Sequence, residues 1–332
     1  MRRGTRISAG LCAALIVSGV AASVLAAPQQ LNAPATAFHP AERLPRTGAP
    51  TVGDCDVFPA DNPWNTRIDN APLHANSAGI IATIQSNGGD HLHPDFGENP
   101  NYGIPYVVVP AGSPRVTVTY DAYGDESDPG PFPIPLDAPI EGGPGAGGDR
   151  HVISIEQGSC ELFELYVGRP SAGGWTAASG ARFDLNSNDL RPLGWTSADA
   201  AGLPIFPGLV RYDEVASGEI RHAIRVTFGR TRAGYILPAT HFASSRTDPN
   251  LPPMGLRLRL GSDYDLSGLT GHARVIAVAM QRYGLIVADN GSNWYFQGAP
   301  SSGWDDDDLN QLKSIPGTAF EVVDTGPVIV GG

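Results

Sequence analysis

Lysine is almost absent from this chain of 332 residues, because Lys313 is the only lysine among its 22 basic residues. Acidic residues outnumber basic ones by 34 to 22, which gives a net charge of −12. Such a chain offers no basic surface from which nucleic acid would release counterions. We therefore expect no nucleic-acid partner and no attraction to anionic lipid surfaces.

Several sequence motifs of common enzyme classes are also missing. The chain has no Gly-x-Ser-x-Gly elbow, no Gly-x-x-x-x-Gly-Lys phosphate loop and no His-Glu-x-x-His pair. It has no dinucleotide-binding fingerprint that links a strand to a helix. These absences argue against a nucleotide-dependent enzyme and against a serine hydrolase of the elbow type.

The one long apolar run lies at the N-terminus. Arg2, Arg3 and Arg6 precede an uncharged stretch over residues 7–25, and Val24 and Ala26 are the small residues of a cleavage site. This pattern predicts a secretory signal peptide over residues 1–26 and a secreted, extracellular protein. A retained membrane anchor is the alternative. Removing the three signal arginines changes the net charge from −12 to −15.

The rest of the chain reads as one domain with two short extensions. Residues 27–53 are rich in Pro and Ala and indicate a linker or extended arm. Residues 54–327 show no break in composition and no internal repeat, so we expect a single domain followed by a tail over residues 328–332. We expect a monomer with no membrane span after processing.

Two of the three cysteines, Cys55 and Cys160, lie outside the signal peptide. An even count in an exported chain predicts one disulfide, with two free thiols as the alternative. In the chain-entropy model, closing a loop of this length stabilises the fold by roughly 4.7 kcal/mol.

Short runs of β-branched and aromatic residues between Gly and Pro turns dominate the sequence and predict strands. The predicted strands are Tyr106 to Val109, Val116 to Tyr120, His151 to Ile155, Leu162 to Val167, Ile220 to Phe228, Gly255 to Leu260, Gly284 to Ala288 and Trp294 to Gln297. The pattern indicates a mainly β (α+β) fold, with a β-sandwich or jelly-roll core and a few peripheral helices.

Three segments have helical periodicity: Asn76 to Gln85, Leu269 to Tyr283 and a segment that begins at Asp305 to Asp308. Acidic residues at a helix N-terminus accept hydrogen bonds from free backbone N–H groups. The four aspartates therefore predict a helix cap, and a calcium-binding feature is the alternative.

Two imidazoles and a carboxylate lie close together in sequence at His91, His93 and Asp95. In an extended segment these three side chains share a face, which is a possible site for a divalent metal ion. No other cofactor is indicated. An exposed turn after Gly88 and Gly89 is the alternative.

A second candidate segment follows a glycine-rich loop, where Asp149 and His151 open a predicted strand. Glu164 on the next strand shares a face with Leu162 and Tyr166. A carboxyl group among apolar neighbours can have the raised pKa that a general acid needs. The alternative for Glu164 is a structural ion pair with Arg150 or Arg169.

The third candidate segment carries an indole and a carboxylate. The fourth carries two imidazoles and two guanidinium groups. Trp195 is a stacking surface for a sugar ring or a core residue, and Asp199 follows it in a turn. His222 interrupts an apolar strand face, and His241 ends the next predicted strand. Arg221 and Arg225 are candidates for binding a substrate carboxylate.

Several of these segments together resemble a known family. Residues 194–214, with 221–225, 238–241 and 283–294, are similar to a family of secreted proteins from high-GC bacteria and some fungi. The resemblance covers most of Cys55 to Asp324. That family has no settled activity, so the resemblance implies export and a single domain and transfers no catalytic residues.

These observations favour a secreted carbohydrate-active enzyme that acts on an extracellular polysaccharide or glycan. A hydrolase with carboxylate and histidine acid–base chemistry is preferred to a lyase. A non-catalytic polysaccharide-binding or cell-surface module and a metal-dependent hydrolase are the alternatives. We expect one cleft at one end of the sandwich to contain Asp149, His151, His222 and His241, together with His93, Asp95 or Asp199.

Overall fold

The structure is a computed structural model that describes residues 48–331. The predicted signal peptide and most of the predicted linker lie outside the described residues. The strands of the described chain are β1 Thr51–Val52, β2 Cys55–Asp56, β3 His93–Asp95, β4 Tyr106–Val109, β5 Thr117–Tyr120, β6 Val152–Glu156, β7 Glu161–Tyr166, β8 Arg169–Ser171, β9 Gly174–Ala177, β10 Ser179–Asp184, β11 Ile224–Phe228, β12 Arg257–Leu260, β13 Leu285–Asn290, β14 Tyr295–Gln297 and β15 Phe320–Val322.

Four α-helices accompany the strands of the described chain: α1 Ser77–Ser86, α2 Tyr212–Ser217, α3 Gly271–Arg282 and α4 Asp306–Asn310. Short 3₁₀ turns lie at Gly124–Glu126, Phe206–Gly208, Gln311–Ser314 and Gly317–Ala319. The predicted mainly β, α+β fold with a few helices is confirmed. None of the helices in the described part of the chain is long and apolar enough to cross a membrane.

The strands form three sheets besides the β1–β2 pair. The large sheet has the order β15-β12-β13-β11-β14-β3, the central sheet β10-β7-β6-β4 and the outer sheet β5-β9-β8. The pairing is mixed, because β11 with β13, β14 with β3, β4 with β6 and β5 with β9 run parallel. The sequence pattern indicated the strands but not these parallel neighbours.

The central sheet is covered on both faces. Ile153, Ile155 and Leu162 pack into the main hydrophobic cluster with the large sheet and α3. Val152, Phe163 and Leu165 pack into a second cluster with Trp175 of the outer sheet. Because neighbouring residues of a strand point to opposite faces, the alternation in β6 and β7 assigns each side chain to one cluster. Glu164 therefore shares a face with Leu162, as the sequence predicts, and this face is turned toward the large sheet.

The aspartates at the start of α4 act as a helix cap. Asp305 accepts hydrogen bonds from the backbone N–H groups of Asp307 and Asp308. The first turn of α4 carries three further aspartates, which suits the positive end of the helix dipole. The predicted cap is confirmed.

Two of the expected histidine placements are wrong. The strand predicted to begin at Ile220 begins at Ile224, so His222 precedes it. Its side chain makes a local contact, because His222 Nδ1 lies 2.8 Å from the Ala223 carbonyl oxygen. His241 does not end a strand, because Thr240 and His241 both donate their backbone N–H to Ala201 O in a loop.

The end of the predicted arm packs on the domain. Ala49 and Val52 are buried, and β1 pairs with β2 through Val52 and Cys55. The Arg221 guanidinium donates to the carbonyl oxygens of Gly48 and Ala49 at 2.6 and 3.0 Å. Residues 48–53 thus belong to the folded domain, contrary to the boundary expected at residue 54, and Arg221 anchors the chain entry.

The predicted disulfide between Cys55 and Cys160 is confirmed. It connects the start of the domain, at β2, to the turn between β6 and β7. Both cysteines belong to the main hydrophobic cluster.

We predict that the double substitution Cys55→Ala and Cys160→Ala lowers the free energy of unfolding by roughly 4 to 5 kcal/mol, because the unfolded chain regains the entropy of a loop of 105 residues. Urea unfolding of the two proteins measures the difference. The wild type under reducing conditions is the control. An unchanged free energy of unfolding would contradict the prediction.

Candidate functional site

Polar side chains lie in two rows across one face of the large sheet. Thr227 of β11 is opposite Asp289 of β13 and Tyr295 of β14, and Tyr295 is opposite His93 of β3. Since residues opposite each other point to the same face, Asp289, Thr227, Tyr295 and His93 form an outer row. Arg225, Gln297 and Asp95 form an inner row beside it. Only Thr227 of the outer row is buried, and only Asp95 of the inner row is partly exposed.

A bulge places Asp289 on this face. Val226 is opposite Val287, but the next residue, Thr227, is opposite Asp289. Ala288 is the extra residue, so Val287 and Asp289 point to opposite faces although they are two positions apart. The bulge turns Asp289 away from the apolar face and toward Arg225.

The centre of the site is a buried ion pair. Arg225 Nη2 and Nε donate to the two carboxylate oxygens of Asp199 at 2.7 and 3.1 Å. Arg225 Nη1 donates to Gln297 Oε1 at 2.8 Å. The Asp199 side chain is 0% exposed and the Arg225 side chain 3% exposed. A bidentate pair in so dry an environment is a strong and specific contact.

The loop that carries Asp199 is held by two histidines. His151 Nε2 lies 3.0 Å from Ala198 O, and His241 Nδ1 lies 2.7 Å from Ala200 O. The carbonyl groups on both sides of Asp199 are thus fixed. Together with Arg225, these contacts hold Asp199 from three directions.

His151 is an imidazolium. Its Nδ1 lies 2.7 Å from Glu141 Oε2, and its Nε2 faces the Ala198 carbonyl, so both ring nitrogens meet acceptors and both carry hydrogens. Burial lowers the pKa of His151, but the charge and hydrogen bond of Glu141 outweigh burial and raise this pKa to about 9.

Glu164 is a second buried acidic group at this end of the two sheets. Its carboxylate accepts hydrogen bonds from the backbone N–H groups of Ile205 and Phe206 at 2.9 to 3.0 Å. Burial raises the pKa of Glu164 to about 7, and the two backbone hydrogen bonds limit the rise. This supports the raised pKa predicted for Glu164. The alternative was an ion pair with Arg150 or Arg169, but in the described structure both arginines donate to backbone carbonyl groups and neither pairs with Glu164.

Asp289 is a partly exposed carboxyl group with a raised pKa. Burial and the nearby negative charge of Asp199 raise the pKa of Asp289 to about 8, against the opposing effect of Arg225. Burial also raises the pKa of Asp95. We define the polar cluster as Asp95, Glu141, His151, Asp199, Arg225, Asp289 and Gln297.

Asp149 and Tyr166 lie where the polar cluster meets solvent. Asp149 is exposed, and Tyr166 is partly exposed. The Tyr166 ring is 5.7 Å from the His151 ring. Burial raises the pKa of Tyr166, and the charges of Asp149 and Asp289 and a hydrogen bond to Asp149 add to the rise. One tyrosine hydroxyl is therefore close to two carboxyl groups.

Some of the residues chosen from the sequence come together here. His151, Asp199, Arg225 and Asp95 belong to the polar cluster, and the remaining residues of this group adjoin it: His93, Asp149, Glu164 and His241. Each guanidinium nitrogen of Arg225 donates a hydrogen bond inside the protein and the side chain is 3% exposed, so Arg225 orients Asp199 and is not available to bind a substrate carboxylate as expected.

Other predicted residues lie in different surroundings. His222 Nε2 lies 2.9 Å from Glu214 Oε2, and the other oxygen of Glu214 is 2.8 Å from Arg211 Nη2. This triad is separate from the polar cluster, so His222 does not share the expected cleft. Trp195 is half-buried, with the Arg191 guanidinium 5.8 Å from its ring. Its role in stacking on a sugar stays a prediction.

The proposed metal ligands do not converge. His91 is exposed and pairs with Asp90 at 2.8 Å, while His93 stacks on Tyr295 with ring centroids 4.0 Å apart. Among the described residues, the one trio of ligand-type side chains with atoms close enough to share an ion includes Cys55 and Cys160, which are joined in the disulfide. His91, His93 and Asp95 thus lack the geometry of a three-ligand site.

A shallow cleft elsewhere is lined by Phe58, Trp64, Leu190, Arg191 and Pro204. None of these residues belongs to the polar cluster. Arg191 is already bound to Asp128 and to the Thr196 carbonyl. We therefore place the candidate site at the polar cluster, where titratable groups with shifted pKa values meet solvent.

Sequence reasoning missed Glu141, Asp289, Gln297, Tyr102, Tyr166 and Tyr295. Asp289 directly follows the apolar run 285–288, and a carboxylate at the end of a buried strand is a signal that could have identified it. Comparison of the chain with protein-family models, with curated proteins and with solved structures finds no match.

We predict that the free energy of unfolding of the wild type decreases between about pH 6.5 and 9. The pKa of His151 is raised in the fold, so its stabilising contribution is complete below the unfolded value of 6.5 and is lost as pH rises through about 9. In His151→Gln this part of the pH dependence should disappear. Urea unfolding across the pH range measures it, with the exposed His91→Gln as the control. Parallel curves for wild type and His151→Gln would refute the assignment.

We predict that Asp199→Ala lowers the free energy of unfolding by about 3 to 5 kcal/mol, because it leaves Arg225 buried without a counter-charge. Adding Arg225→Met should recover part of the loss, since the unpaired charge is then removed. Denaturant unfolding of the three proteins provides the test. A double variant less stable than Asp199→Ala would show that the charge is not the cause.

Proposed function

We propose that the protein is a secreted carbohydrate-active enzyme, a glycan hydrolase in which Asp289 donates a proton to the glycosidic oxygen. The observation that carries the proposal is a partly exposed carboxyl group with a raised pKa, Asp289, beside the buried pairs Arg225–Asp199 and His151–Glu141. Such a group can act as a general acid at neutral pH.

Glycoside hydrolysis needs a second carboxyl group that is ionised. We assign this role to Asp149, which is exposed. The charges of both Asp149 and Asp289 act on Tyr166, so the two carboxyl groups lie near the same tyrosine. Asp149 takes a proton from the attacking water while Asp289 protonates the leaving oxygen. Tyr166 orients the Asp149 carboxylate through its hydroxyl group.

Asp199 has a different part in this proposal. Its side chain is 0% exposed, and both its oxygens accept hydrogen bonds from Arg225, so it cannot touch a substrate. Burial raises the pKa of Asp289, and the negative charge of Asp199 adds to this rise. Asp199 is therefore a positioning residue that acts through Asp289.

The geometry favours hydrolysis over elimination by a lyase. A lyase acting on uronates needs a free base and an arginine that neutralises the substrate carboxylate. Both ring nitrogens of His222 face acceptors, and Arg225 is buried with each guanidinium nitrogen hydrogen-bonded inside the protein. Arg221 is engaged by the chain entry at Gly48 and Ala49.

Aromatic side chains at the opening support a sugar ligand. Tyr102 is exposed, Tyr166 and Tyr295 are partly exposed, and His93 and Tyr295 stack with an interplanar angle of 11°. From Asp289 to His93 the outer row spans three strand spacings, roughly 14 Å, which a short oligosaccharide covers.

We predict that Asp289→Asn lowers kcat/KM on a cleaved polysaccharide by roughly 10²- to 10⁴-fold, because the proton donor is lost while its shape is kept. In the wild type, kcat/KM should fall as pH rises through about 8, since the acid must be protonated. Reducing-end release from a panel of polysaccharides measures both effects.

Asp137→Asn is the matched control, because Asp137 is an exposed aspartate outside the polar cluster. Thermal unfolding of each variant checks that the fold is kept. Activity of Asp289→Asn at the wild-type level would rule out Asp289 as the acid. Binding of a glycan without cleavage by the wild type would favour a non-catalytic module instead.

A further inference from the structure

The positive charges of the polar cluster are all used inside the protein. The three guanidinium nitrogens of Arg225 donate to Asp199 and Gln297. Both ring nitrogens of His151 face Glu141 and the Ala198 carbonyl. An anionic substrate would find none of these donors available.

The partly or fully exposed ionisable groups around the opening are mostly acidic. Asp95, Glu141 and Asp289 are partly exposed, and Asp149 is exposed. Lys313 acts electrostatically on His93, where burial and this lysine lower the pKa. The charges that act on Asp95 are those of His93 and Glu141. Glu141 is paired with His151 and the pKa of Asp289 is raised, so Asp95 and Asp149 supply the negative charge at the opening, which repels anions and attracts cations.

Asp95 is a carboxylate without a counter-ion. It lies on the edge strand β3, partly exposed, and no ion pair within 4 Å involves it in the described structure. Burial raises the pKa of Asp95 and outweighs the hydrogen bonds from Gln297 and Tyr102 and the charge of His93, which stabilise its charged form. A cationic ligand group would supply the missing charge.

Aromatic groups surround Asp95 on the side that meets solvent. The Tyr102 hydroxyl donates to Pro94 O at 2.9 Å and lies 3.4 Å from His93 Nε2. Tyr295 stacks on His93 at 4.0 Å. A carboxylate beside aromatic rings suits an ammonium group on a sugar, because the rings contact the apolar faces of the sugar and attract the cation.

We propose that the site is specific for glycans built of amino sugars with free ammonium groups, and that Asp95 is the residue that binds the ammonium. This inference rests on the proposed hydrolase function. It excludes polyuronates as substrates and ranks N-acetylated glycans, which carry no charge on nitrogen, below their deacetylated counterparts.

The test compares oligosaccharides of equal length built of glucosamine, N-acetylglucosamine and galacturonic acid, at a mildly acidic pH where the amines are charged. We expect kcat/KM for the glucosamine oligomer to exceed that for the N-acetylated oligomer by about tenfold or more, as one charge-assisted contact provides. The galacturonic acid oligomer should be the poorest substrate. The preference should decrease as salt is added.

Asp95→Asn should raise KM for the glucosamine oligomer and reduce the ratio of the two kcat/KM values about tenfold, while Asp137→Asn should keep the wild-type ratio. An unchanged ratio in a folded Asp95→Asn protein overturns the assignment of Asp95. If that variant does not fold, the salt dependence of the wild-type ratio decides, and a salt-independent ratio overturns the proposal.

The failures of the two proposals are distinguishable. Faster cleavage of N-acetylated or anionic oligomers overturns the amino-sugar specificity and leaves the hydrolase function intact. Cleavage of no glycan at all overturns the hydrolase function, and the specificity falls with it.

Discussion

The ion pair between Arg225 and Asp199 is the contact on which the candidate site depends. It lies between a strand of the large sheet and a loop, both fully buried, so neither charge has water as a substitute partner. Removing two charges from water is costly unless they are hydrogen-bonded, and here Gln297 adds a third hydrogen bond to the two that Arg225 donates to Asp199. The pair thus fixes the loop against the sheet and places the Asp199 carboxylate near Asp289.

The surrounding contacts make this placement rigid. His151 and His241 hold the carbonyl groups before and after Asp199, and Glu141 in turn orients His151. A loop fixed at three consecutive residues cannot rotate its carboxylate away from Arg225. Asp199 and Asp289 have different surroundings: a guanidinium group compensates Asp199, whereas burial and the charge of Asp199 raise the pKa of Asp289.

Much of the fold was predictable from the sequence because its signals are local. Alternation in β6 and β7 and the acidic start of α4 depend on neighbouring residues, and each was predicted correctly. Strand β10 was missed because it begins with small residues: a side chain on Gly180 would lie 2.4 Å from the Tyr120 hydroxyl. The small residue is required by a neighbour on another sheet, which no local pattern reveals.

The site was only partly predictable for the same reason. His151, Asp199 and Arg225 stand out as polar residues among apolar ones, so the sequence indicated them. Nothing in the local sequence distinguishes their partners Glu141 and Gln297. Glu141 contacts His151 and Gln297 contacts Arg225 only in the folded chain, so the sequence pattern does not indicate them. His222 shows the same polar-among-apolar pattern as His151, yet it belongs to a separate triad with Glu214 and Arg211. Pattern alone identifies a buried polar group but not its partner.

The bulge at Ala288 has a consequence for how this site can be altered. The direction of the Asp289 side chain is decided by the bulge and not by the chemical identity of its neighbours. In a regular strand of the same length, Val287 and Asp289 would point to the same face, and the carboxyl group would lie among apolar side chains. Deleting Ala288 would restore regular pairing and keep Asp289 opposite Thr227. The site therefore tolerates loss of the extra residue, but not straightening of the strand with every residue kept.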